Sequence, residues 1–271
     1  MEDKAMRKPH RKKTVYSSYS SQKQKLSVVC ILLSALFFVA TIPTLVVRRR
    51  LALTTASNRL LPIYSVEKTE KQIAISFDCA WGVDYTDKLL DCMAKNDVQC
   101  TFFAVEFWVK RYPEYAKKIV QAGHELGTHS RSHPYMSKLS KTQIQDELRT
   151  SSQAIASVTG IKPLLFRPPY GDYNNTLIET ATEEGLYTIQ WDVDSLDWKN
   201  LSAQEIALRV INGARNGSII LCHNNGLHTA EALPLIFSTL KNRGFTFVPI
   251  GRLIYKENYT LDYTGRQHPC T

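Results

Sequence analysis

From about residue 71 onward, short apolar runs alternate with longer amphipathic segments. The strand-like runs fall at residues 72–77, 99–105, 124–128, 164–166, 186–193, 218–222 and 245–248. Between them, apolar positions spaced three and four apart predict helices over 84–96, 113–122, 141–158, 174–184, 202–214 and 229–243. Gly123, Gly160, Gly185 and Gly244 stand at the ends of helical segments, where a left-handed residue closes the last turn. Strands and helices alternating in this way imply right-handed crossovers and a parallel sheet of about seven strands. The pattern alone admits an open doubly wound sheet or a closed or nearly closed barrel. No internal repeat or low-complexity stretch is visible.

A different pattern precedes it. Residues 26–47 are 22 consecutive uncharged positions rich in Val, Ile, Leu and Phe. As a helix they would extend about 33 Å, enough to cross a bilayer core. Eight Lys/Arg lie before this segment, and Arg48, Arg49 and Arg50 follow it. That bias predicts a single-pass membrane protein with a cytoplasmic N-terminal tail and an extracellular body. A cleavable signal peptide is the rival, but a triple Arg directly after the apolar region disfavours it. The expected organisation is a basic tail over 1–25, a membrane helix over 26–47, a linker over 48–70, a catalytic domain over 71–254 and a tail over 255–271.

The same segments account for the charge. The net charge is +9, and residues 1–50 carry 11 Lys/Arg against 2 acidic residues. The remaining chain holds 23 of each sign, so its body offers no net attraction to a nucleic-acid backbone. Six cysteines without paired spacing do not make a disulfide framework. A monomer is expected.

The candidate chemistry sits where apolar runs end. Asp78 follows the first run; His129 and His133 follow the third; Arg167, Pro168 and Tyr170 follow the fourth. Asp194, Asp197 and Trp198 follow the fifth, and His223 closes the sixth after Leu221 and Cys222. Parallel α/β proteins build their sites where the C-terminal strand ends converge. Imidazoles four residues apart can face one point and suit a zinc-like ion.

These motifs, in this order, resemble those of the NodB-like polysaccharide deacetylases, carbohydrate esterase family four. The resemblance rests on Ser76-Phe77-Asp78, His129-Ser130-Arg131-Ser132-His133, Arg167-Pro168-Pro169-Tyr170-Gly171, Asp194-Ser195-Leu196-Asp197-Trp198 and Leu221-Cys222-His223. It implies a distorted, incomplete (β/α) barrel that uses one divalent metal ion to hydrolyse N-acetyl groups on a hexosamine polymer. The ion expected is zinc, with cobalt or manganese as alternatives. By that resemblance Asp78 is the general base, His223 the general acid, Arg167 the partner of the base and Asp197 the partner of the acid. His129 and His133 are metal ligands, Tyr170 gives its backbone N–H to the oxyanion, and Trp198, Leu221 and Pro168 contact substrate. A domain tethered outside the membrane points to a cell-wall glycan, peptidoglycan first.

The chain departs from the family at one place. Where a second Asp, the third metal ligand, is usual, this sequence has Cys79. Cys79 could ligate a soft ion, Asp84 could reach back to the metal, or the thiol could point into the core. The substitution leaves open a metal-poor glycan-binding protein, and the same groups would also serve a chitin-type deacetylase or another metal-dependent amidase.

Overall fold

The computed structural model describes residues 59–270. The segment expected to cross the membrane, 26–47, lies outside the described residues. Among the described residues no helix is long and apolar enough to cross a membrane.

The strands are β1 (Ser65–Val66), β2 (Gln72–Cys79), β3 (Thr101–Ala104), β4 (Glu125–Thr128), β5 (Leu165–Phe166), β6 (Tyr187–Thr188), β7 (Val193–Asp194), β8 (Ile219–His223), β9 (Thr246–Phe247), β10 (Tyr259–Leu261) and β11 (Arg266–Pro269). Helices α1 (Thr86–Lys95), α2 (Glu106–Arg111), α3 (Pro113–Gln121), α4 (Lys141–Thr159), α5 (Asn175–Glu183), α6 (Ala203–Gly213), α7 (Thr229–Asn242) and α8 (Ile250–Leu253) connect them. The central sheet runs β6-β5-β4-β3-β2-β8-β7, all parallel, with β9 added parallel to the start of β2. It curls into an incomplete barrel.

The sequence predicts one strand over 186–193, and the structure divides it. β6 pairs β5 at one edge of the sheet, whereas β7 pairs β8 at the other. Residues 189–192 therefore cross the gap between the two edges. The expected linker also supplies part of the barrel: Ile63 bridges to Ile189, and Ser65 to Ser218. Ile63 donates its N–H to Thr188 O and accepts from Gln190 N, at 2.9 and 2.8 Å. Gly217, with φ of +80°, lets this segment approach, since a Cβ there would stand 1.6 Å from Val66 O. Residues beyond 254 are no loose tail: β10 and β11 form a hairpin whose second strand pairs β1.

Alternation along β2 sets both the core and the site. Ile73, Ile75, Phe77 and Cys79 enter the main core with Leu89 and Met93 of α1 and Ile236 and Phe237 of α7. Ala74 belongs to a separate core with Ile63, Phe103 and Ile219. Asp78, two residues beyond Ser76, shares the parity of Ala74 rather than that of Cys79.

The predicted helices lie within one or two residues of their expected bounds, because their caps are written in the sequence. Ser140 with Gln143, and Ser202 with Glu205, form reciprocal capping boxes, and Gly160 closes α4 in the left-handed conformation. The sequence pattern does not predict helix α2. It follows Val105 without a polar break, so residues 99–105 read as one strand that in fact stops at Ala104.

Candidate active site

The C-terminal ends of β2, β4, β5, β7 and β8 open onto a cleft of about 640 Å³. Its walls include Asp78, His129, His133, Tyr170, Trp198, Leu221 and His223. Arg167 and Asp197 lie fully buried behind those residues. Pro168 is buried and does not line the cleft.

Asp78 and Arg167 form one dyad. Arg167 Nη1 donates to Asp78 Oδ1 at 2.9 Å, and its Nη2 donates to Gln190 O at 3.3 Å. The guanidinium lies over the Phe103 ring, 4.2 Å from its centroid. Burial opposes ionisation of Asp78, but Arg167, His129 and His223 together hold its carboxyl below the usual carboxylate range.

His223 and Asp197 form the second dyad. Asp197 Oδ1 lies 2.7 Å from His223 Nδ1, while its Oδ2 accepts from His223 N at 2.8 Å and Thr229 Oγ1 at 2.7 Å. Burial alone would lower the imidazole pKa, yet the Asp197 hydrogen bond and charge prevail and raise it above 6.5. The two dyads therefore pull apart, with one group favoured as an ionised base and the other as a protonated acid.

His129 and His133 lie between them, ring centroids 4.9 Å apart. His129 Nδ1 faces Arg167 O at 2.8 Å, and its Nε2 lies 3.6 Å from Asp78 Oδ2. Burial lowers the pKa of both imidazoles, to about 4 for His133, so both are neutral near pH 7. His133 Nδ1 is buried without a hydrogen-bond partner. Two neutral imidazoles fit a zinc-like cation. Neither candidate for a third donor joins them. Cys79 is wholly buried in the helix-facing core, its sulfur 3.8 Å from Phe77 O, and burial keeps its thiol protonated. Asp84 is exposed, with its Oδ2 beside Gly82, and does not line the cleft. Among the described residues no three His, Cys, Asp or Glu converge as a metal cluster.

The loop carrying the imidazole pair is held by Glu147 of α4, a residue the sequence reading did not single out. Glu147 Oε2 accepts from Arg131 N and Ser132 N, both at 2.9 Å, and Oε1 accepts from Ser132 Oγ at 2.6 Å. The loop needs such a template, because Ser130 and His133 both have positive φ, 73° and 59°. A signal was present: Glu147 falls on the buried stripe of α4 beside Ile144, Leu148 and Ser151.

Residues 65–189 match the sequence model of the polysaccharide deacetylase family. A peptidoglycan-N-acetylglucosamine deacetylase of Bacillus cereus is 34% identical over 196 residues, 70% of this chain and 92% of that protein. The chain belongs to the polysaccharide deacetylases of carbohydrate esterase family four, the NodB-like group. The uncharacterized protein YlxY of Bacillus subtilis is 34% identical over 193 residues, 71% of this chain. The chain spans only 60% of that relative, and 42% of the Listeria monocytogenes deacetylase PgdA. A crystal structure from Bacillus anthracis, described as a family-four pseudoenzyme, aligns with a TM-score of 0.69 at 32% identity, over 77% of this chain and 70% of that one. A mutant of it is described as having restored enzymatic activity.

Proposed function

We propose that this protein removes N-acetyl groups from a cell-wall glycan, with peptidoglycan hexosamines as the substrate. The observation that carries this reading is the convergence of the Asp78–Arg167 and His223–Asp197 dyads on one cleft. A binding protein needs neither dyad. His129 and His133 would hold a divalent ion, zinc first, whose role is to polarise the amide carbonyl and acidify a water. Asp78 takes the proton of the water that attacks the acetyl carbon, and Arg167 keeps its carboxylate ionised. The Tyr170 backbone N–H donates to the developing oxyanion. His223 then protonates the departing amine nitrogen as the C–N bond breaks, leaving acetate and a free amine. Trp198 and Leu221 bound the space for the acetyl methyl.

The test is acetate release from peptidoglycan by the full chain supplied with zinc or cobalt. Asp78→Asn and His223→Ala should each lower the rate by roughly 10²–10⁴-fold while leaving metal content unchanged. Turnover that persists in Asp78→Asn would remove the base from this scheme.

A second reading has its own support. With Cys79 in the core and no cluster of three His, Cys, Asp or Glu among the described residues, the cleft suits a metal-poor glycan-binding protein, and a relative described as a pseudoenzyme has a similar fold. Absence of acetate release at any metal concentration, with glycan binding intact, would select it.

The same reading places the domain outside the cell, held to the membrane through residues 26–47, with the tail before them in the cytoplasm.

A further inference from the structure

Arg167 is fully buried, yet its guanidinium holds Asp78 with one arm only. Nη1 donates to Asp78 Oδ1 at 2.9 Å, whereas Nη2 donates to the backbone carbonyl of Gln190 at 3.3 Å. Nε is buried without a partner. Arginine and a carboxylate frequently pair through two parallel N–H···O bonds, a pairing that the rigid guanidinium fork favours. Here a carbonyl takes the second arm, and Asp78 Oδ2 is left 3.6 Å from His129 Nε2. The difference matters for a base, which needs a free lone pair within reach of the proton it removes. A fork closed on both carboxylate oxygens would occupy that lone pair.

Gln190 lies in the stretch that crosses from β6 to β7, outside both strands. What sets its carbonyl comes from ahead of the barrel. Ile63 brackets Ile189 with two bonds, donating to Thr188 O at 2.9 Å and accepting from Gln190 N at 2.8 Å. Ile189 N donates the other way, to Phe166 O at 2.8 Å, so the start of the crossing is gripped from two sides. The Ile63 side chain is buried in the same core cluster as Ile189 and Phe103, and the Phe103 ring carries the guanidinium. Ile63 is anchored in turn: Tyr64 N donates to Gly265 O at 2.9 Å, and β1 pairs β11. On its other flank Gln190 abuts the turn that holds Tyr170. A Cβ on Gly171 would stand 3.3 Å from Gln190 Oε1.

We propose that Gln190 is a positioning residue of the site and that Ile63 sets it in place. By taking the second arm of Arg167, the Gln190 carbonyl keeps Asp78 Oδ2 free to accept the proton of the attacking water. The segment before β1 then serves the chemistry as well as the fold. Loosening it lets the guanidinium swing on the Phe103 ring and close on both oxygens of Asp78. This inference rests on the reading of Asp78 as the base.

The experiment compares two variants of the full chain in acetate release and thermal melting. Ile63→Pro removes the N–H that holds Thr188 and keeps an apolar side chain. Ile63→Ala keeps both backbone bonds and removes buried side-chain volume. Ile63→Pro should lower kcat between about tenfold and a hundredfold with KM little changed. Ile63→Ala should lower the melting temperature and leave kcat near that of the wild type. Unchanged kcat in Ile63→Pro overturns the proposal, as do equal losses of kcat in the two variants, which packing alone would explain. A second measurement needs no variant, so it decides the matter even where Ile63→Pro does not fold. Magnetic resonance of the wild-type chain should show coupling across a hydrogen bond from Arg167 Nη2 to the Gln190 carbonyl carbon. Only Nη1 should couple to the Asp78 carboxyl carbon. Absence of the first coupling, or coupling of both nitrogens to Asp78, overturns the proposal. Wild-type chain that releases no acetate, with Nη2 on Gln190, removes the deacetylase reading and leaves this arrangement of Arg167 standing.

Discussion

At the scale of single residues, the site is organised by where a carboxylate stands relative to a cation. Asp78 beside Arg167 is held ionised, whereas Asp197 beside His223 holds a proton on its neighbour. The second pairing has a definite pH signature. His223 has a folded pKa raised above 6.5, so the stability it gains from Asp197 is complete below that value. It is lost as pH rises through the raised folded value. The rate should fall over the same range if His223 is the acid. Asp197→Asn removes the leading cause of the raised pKa, so the alkaline limb of acetate release should move to lower pH and the alkaline loss of thermal stability should flatten. A limb that stays in place in Asp197→Asn would assign the acid to another group. Cys79 belongs to this scale too. Strand parity sets it opposite Asp78, and that parity is readable in the sequence; the thiol is a candidate ligand only because it stands where the family has its second Asp.

At the scale of elements, the loop from His129 to His133 depends on helix α4. Two positive-φ residues within five would not hold two rings 4.9 Å apart unaided, and three hydrogen bonds to Glu147 close the loop. Glu147→Ala should lower the zinc affinity of the full chain by about 10–100-fold, the usual cost of removing support behind a ligand. Glu147→Gln should retain most of it, because one amide oxygen still accepts both backbone N–H groups. Equal zinc affinity in the alanine and glutamine variants would make Glu147 an ordinary buried polar residue. Much of this layer was legible beforehand. The clusters at the ends of β2, β4, β5 and β8 follow from short apolar runs that stop at polar residues, and the capping boxes fix the starts of α4 and α6. The break between β6 and β7 was not legible, because Leu186 to Val193 reads as one apolar run whose division depends on partners at opposite edges of the sheet. Nor was the terminal hairpin, where only Leu261 of the strand residues is a large aliphatic.

For the whole molecule, the expected arrangement is a barrel carried outside the cell on an N-terminal helix. Protease added to intact protoplasts should digest the domain while sparing the basic tail. A domain protected until the membrane is breached would reverse the orientation. The seam of the barrel adds a constraint in time. Ser65 stands beside Arg266 in the small sheet and bridges to Ser218 before β8. A domain delivered from its N-terminal end would thus present its opening strand long before the partners of that strand have been made. Pairings so distant along the chain form slowly. The seam can close only once Arg266 is available, so a domain exported as proposed would have to stay open almost to its last strand, with its cleft taking shape on the far side.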